Sequence, residues 1–79
     1  MRLDKYLKVS RLIKRRTVAN EACDAGRVSV NGKTVKASYE VKVGDEIEIG
    51  FGDRSVKARI LRVQENVRKE EAEDMFEYL

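Results

Sequence analysis

Lys14-Arg15-Arg16-Thr17 sets three cations in a row just ahead of a hydroxyl. Such side chains grip phosphate oxygens; they do not break covalent bonds. Thr17 also reads as the N-cap of a following helix, and the free backbone N–H groups of a helix start favour an anion. More cations flank the cluster: Arg2, Lys5, Lys8 and Arg11 before it, Arg27 and Lys33 after it, with Asn31 close to Lys33. Residues 1–36 hold ten basic and three acidic side chains, net +7; residues 37–63 are neutral; residues 64–79 hold two basic and six acidic, net −4. The overall charge of +3 thus hides a polarised chain whose positive end is the expected docking end for a polyanion. If about four to six of these cations meet phosphates, binding falls steeply as salt rises.

Catalysis finds little support. The chain has no histidine and a single cysteine, which removes the commonest general base near neutral pH and any zinc site of the usual type. Cys23 shares a short apolar side with Ala19 and Ala22 and reads as a small core residue. Gly50-x-Gly52 lacks the third glycine of a phosphate-binding fingerprint and reads as a turn. No enzyme activity, metal or other cofactor is expected. A lone cysteine and the lack of a long apolar run favour a cytoplasmic protein.

The elements that must position these residues follow from periodicity. Leu3, Tyr6, Leu7, Ser10 and Ile13 form a helical stripe, but Val9 and Leu12 fall on its charged side, so a turn is expected near Ser10. A second helix is expected from Val18 to Ala25, capped by Thr17 and closed by Gly26. Asn31-Gly32 between Val28-Ser29-Val30 and Lys33-Thr34-Val35 predicts a hairpin, with Val30 opposite Lys33. Further strands are expected around Val41–Val43, Ile47–Ile49 and Val56–Ile60, with a bulge near Ile60 where the apolar phase switches. Ala72, Met75, Phe76 and Leu79 are spaced as one helical stripe in an acidic segment. The expected architecture is α+β: two N-terminal helices on a small twisted antiparallel sheet of four to five strands, with a C-terminal helix. Residues 1–65 would form the domain and 66–79 an acidic helix or tail, either solvated or able to meet a basic partner. Tyr6 is expected in the core, whereas Tyr39 is a candidate for stacking on a base.

Arg2-Leu3-Asp4-Lys5-Tyr6-Leu7, Lys14-Arg15-Arg16-Thr17 and the run Ala25-Gly26-Arg27-Val28-Ser29-Val30-Asn31-Gly32-Lys33, in that order, resemble the S-four RNA-binding domain family. That module occurs in ribosomal small-subunit protein four and is attached to pseudouridine synthases and tyrosyl-tRNA synthetases. The likeness covers about residues 1–50. It implies that Arg2, Lys5, Arg11, Arg15, Arg16 and Thr17 face RNA phosphates, with Arg27, Asn31 and Lys33 forming the neighbouring edge. It also implies that Asp4 orients an arginine inside the chain; helix spacing alone equally allows a loose Asp4–Lys8 pair. Among free-standing members, the chain is most similar to ribosome-associated quality-control forms. Those imply binding to large ribosomal subunits through rRNA and peptidyl-tRNA, alongside a partner factor that tails stalled chains with alanine, the protein being a monomer off the ribosome. A general structured-RNA chaperone or assembly factor would use the same face, and a protein-interaction module would use the acidic segment.

Overall fold

In a computed structural model of the chain, which describes residues 1–79, the apolar stripe becomes α1, Leu3–Val9. Leu3, Tyr6 and Leu7 are wholly buried on it. The helix stops at buried Ser10, whose hydroxyl donates to the Leu7 carbonyl at 3.3 Å. Arg11 then takes φ 65°, the left-handed conformation that closes helices and usually favours glycine. This break resolves the phase conflict, because Val9 and Leu12 now pack half-buried against the core.

α2 spans Arg16–Asp24 and buries Ala19, Ala22 and Cys23. It begins two residues earlier than expected. The cap position belongs to Arg15, in extended backbone with no side-chain cap, and Thr17 lies in the first turn. The apolar triplet tolerates either start, and Arg16, the first helical residue, pairs with Asp4 at 3.4 Å.

Asn31 and Gly32 both adopt positive φ, 52° and 84°, as a tight hairpin turn requires. They join β1 (Val28–Val30) to β2 (Lys33–Thr34), with Val30 opposite Lys33. β3 (Glu46–Phe51) and β4 (Arg54–Ile60) follow, and β5 (Phe76–Tyr78) completes a five-stranded antiparallel sheet in the order β2-β1-β3-β4-β5. Ile47, Ile49, Val28, Val30 and Ile60 face the buried stripes of α1 and α2 across one core.

Two expectations are corrected. No strand forms at Val41–Val43: Val41 is buried, Val43 is 65% exposed, and the segment runs along the start of the chain instead. There the Val41 N–H donates to the Met1 carbonyl (3.0 Å), while the Leu3 and Asp4 N–H groups donate to the Tyr39 and Ala37 carbonyls (2.7 and 3.2 Å). Backbone groups engaged this way have no sheet ladder to join. The C-terminal helix is reduced to a short 3-10 helix, Lys69–Asp74, followed by β5. Phe76 and Tyr78 suit a strand, and pairing them with Ile60 and Ala58 covers the edge that β4 would otherwise expose. Ala72 and Met75 are buried, so residues 66–79 share the core of residues 1–65. The bulge lies where the phase switch placed it: the Leu61 and Arg62 N–H groups both donate to the Met75 carbonyl, at 2.8 and 3.1 Å. No helix is long and apolar enough to cross a membrane.

Candidate nucleic-acid interface

Asp4 sits in the first turn of α1 with its side chain only 3% exposed. Such a carboxylate is costly to bury unless donors surround it, and they do. Arg2 donates from Nε (3.2 Å) and Nη2 (3.4 Å), Asn20 from Nδ2 (3.2 Å) and the Lys5 backbone N–H at 2.8 Å. Arg16 approaches with Nε at 3.4 Å and Nη2 at 3.5 Å. Burial alone would raise the Asp4 carboxyl; the hydrogen bonds from Asn20, Arg16 and Lys5, with the Arg16 charge, outweigh it and hold the group below its ordinary 3.8. Arg2 and Arg16 remain 52% and 47% exposed. Two guanidinium groups are thus anchored by their inner edges while their outer edges face solvent. Their surplus positive charge is aimed outward.

Lys8 follows Asp4 by one helical turn, on the same face. Lys8, Arg11, Lys14 and Arg15 are exposed, and none belongs to an ion pair. Thr17 is exposed in the first turn of α2, where no side chain caps the backbone N–H groups, so those donors are open to an anion. The helices therefore bring Arg2 and Arg16 together on Asp4, while Lys8, Arg11 and Lys14 line a neighbouring groove.

The remaining candidates are placed differently. Lys5 turns toward the C-terminal segment, with Nζ 3.5 Å from Glu65 Oε1. Arg27 and Lys33 are exposed on the sheet side, without ion pairs or side-chain hydrogen bonds linking them to the hub. Asn31 donates from Nδ2 to Asp45 (3.1 Å) and accepts the Glu46 N–H at Oδ1 (3.0 Å), so its amide is committed to holding the hairpin turn. The Tyr39 hydroxyl also donates to Asp45, at 3.2 Å, and its ring is half-buried; burial and the Asp45 charge raise its phenol. Neither residue is free in the way the sequence suggested. Tyr6 is in the core, donating to the Met75 carbonyl at 2.8 Å. Cys23 is buried, and that burial, aided by the charges of Asp4 and Asp24, pushes its thiol up to about 11, which leaves it protonated and inert at neutral pH. Sequence reasoning missed Asn20. The available signal was its spacing, one turn after Arg16 on α2, which puts both on the face that meets Asp4.

Residues 1–47 match the family model of the S4 domain, and the chain belongs to the S4 domain family. Its relatives include proteins named RQC P-site tRNA stabilizing factor. That of Listeria innocua is 58% identical over 79 residues, spanning 100% of this chain and 86% of the relative. That of Bacillus subtilis is 52% identical over 79 residues, spanning 100% and 92%. Among solved structures, Vibrio cholerae Heat Shock Protein 15 superposes with a TM-score of 0.91 at 29% identity, covering 100% of this chain and 81% of that one. An Aquifex aeolicus protein named uncharacterized RNA pseudouridine synthase is 54% identical over 50 residues, but these make up only 21% of its length. That likeness extends to the shared module alone.

Proposed function

We propose that this protein binds large ribosomal subunits whose P site holds peptidyl-tRNA, touching rRNA and the tRNA together through the face built by α1 and the start of α2. The observation that carries this reading is the hub: two half-exposed arginines fixed on one buried carboxylate, beside unpaired cations. Its context is a chain that aligns over its whole length with factors named for stabilising P-site tRNA. Arg2 and Arg16 present pre-oriented forks to phosphate oxygens, so little side-chain freedom is lost on binding. Lys8, Arg11, Lys14 and Arg15 add attraction that tolerates variation in sequence and shape, and the uncapped start of α2, with Thr17, offers donors to one further phosphate. By holding the tRNA in place, the protein supports a partner factor that adds alanines to the stalled chain. Such a target places it in the cytoplasm.

The test is co-sedimentation of tagged protein with large subunits, vacant or carrying peptidyl-tRNA, across a salt series. Preferential retention on the peptidyl-tRNA-bearing subunits, lost in Arg2→Ala and Arg16→Ala and falling as salt rises, supports the reading. Equal retention on vacant subunits and free RNA would instead identify a general structured-RNA chaperone. In a reconstituted tailing reaction, adding the protein should lengthen the alanine tails.

A further inference from the structure

Between the end of α1 and the segment that leads from β4 to the 3-10 helix lies an open groove of about 780 Å³. Lys8, Arg11 and Lys14 form one wall, and Glu65, Asn66 and Arg68 lie across from them. Only Val9 and Val67 in its lining are apolar, so the groove lacks the greasy floor that would seat a peptide's side-chain anchors. What it offers is a lining rich in cations. Lys8, Arg11 and Lys14 have no carboxylate partner. Arg68 has only Glu71, at the long distance of 3.9 Å, and its side chain is 81% exposed. Lys8 belongs to this wall and follows Asp4 by one turn of the same helix, so the groove and the arginine hub lie on neighbouring parts of α1.

We propose that the segment 65–71 is a second wall for bound RNA. In this arrangement a phosphodiester strand leaving Arg2 and Arg16 runs through the groove, Arg68 takes one of its phosphates, and the Asn66 amide meets a sugar hydroxyl. Glu71 and Glu65 act as built-in competitors. Glu71 holds Arg68 loosely, and Glu65 holds Lys5 at 3.5 Å; an incoming phosphate must displace both. The S4 match ends at residue 47, so this wall lies outside the family module. The inference rests on the reading of the α1–α2 face as an RNA site and extends it to a segment whose net charge is negative.

Opposite charges on one exposed turn allow a test by sign. Binding of a fluorescently labelled RNA stem-loop is measured over a salt series for the full chain and for Arg68→Ala, Arg68→Lys, Glu71→Gln and Arg16→Ala, each checked by thermal melting. Arg68→Ala should weaken binding about fivefold near 100 mM salt and lower the slope of log affinity against log salt by about one. Arg68→Lys should restore the slope, and Glu71→Gln should tighten binding about twofold by freeing the guanidinium. A structural disturbance of the turn would move Arg68→Ala and Glu71→Gln in the same direction. Unchanged affinity and slope in Arg68→Ala, with Arg16→Ala still weakened, overturns the second wall and leaves the proposed function standing. The reverse, Arg68→Ala weakened and Arg16→Ala unaffected, keeps the groove but removes the hub from the RNA site.

Discussion

The molecule contains two arginine–carboxylate networks built on opposite plans. Around Asp4, one buried carboxylate holds two arginines. On the open face of the sheet, Arg59 lies between two carboxylates, 2.9 Å from Glu77 and 3.3 Å from Glu46, and all three side chains are substantially exposed. The first network keeps a surplus positive charge and turns it outward from a rigid anchor. The second keeps a surplus negative charge, satisfies its single cation internally and sits in water, where such pairs contribute little. A census of arginines along the chain cannot separate these regions. Which partner is buried, and which is in excess, decides whether an arginine is available to a polyanion.

The comparison breaks most severely at Asp4. Asp4→Ala removes the anchor, leaves two guanidinium groups repelling each other and takes from Asn20 the acceptor of its amide, so a loss of about 2 kcal/mol is expected in denaturant titration. RNA affinity should fall with it; a variant that kept full affinity would show that the arginines need no orienting carboxylate. Tyr6→Phe separates stability from binding, since it removes the bond to the Met75 carbonyl without touching either network. It should cost about 1 kcal/mol in unfolding and leave RNA titrations unchanged. Arg16→Ala should weaken RNA binding about fivefold, with only a small change in melting temperature. Acid probes the anchor by itself. Because the folded Asp4 titrates below its ordinary 3.8, the unfolded chain takes up the proton first. Its contribution is therefore complete above about pH 5 and is lost as pH falls past that ordinary value and through the lower folded one. Unfolding followed from about pH 5 to pH 2 should show this dependence in the natural chain and a flatter one in Asp4→Asn. The smallest effect belongs to the sheet: Arg59→Ala should stay within about 0.5 kcal/mol and leave RNA binding untouched. A loss of affinity there matching that of Arg16→Ala would erase the distinction between the two networks.

Features governed by near neighbours were legible in the sequence. Asn31-Gly32 announces its hairpin because the turn needs positive φ at two adjacent residues, and the conflict between Leu3-Tyr6-Leu7 and Val9-Leu12 announces the break at Ser10. Features decided by distant partners were not. Ala72, Met75 and Phe76 fit a helical stripe as well as a 3-10 turn and a strand, and only β4 waiting for a neighbour selects the latter. Val41 alternates with Val43, yet its backbone is claimed by Met1. In the site, the cations were visible as types in a row, whereas their division was not. Helix spacing left Asp4 with Lys8 as an equal choice; family resemblance pointed to an arginine, and packing of α2 against α1 supplied both Arg16 and Asn20. Asn31 and Tyr39 looked available because nothing nearby in the sequence reveals Asp45 as their shared acceptor.

The bond from Tyr6 to the Met75 carbonyl joins residues 69 positions apart. Met75 closes the 3-10 helix just before β5, so the bond fastens the first helix to the far end of the described chain. A tie of that span bears more on how fast the chain folds than on how stable the finished fold is.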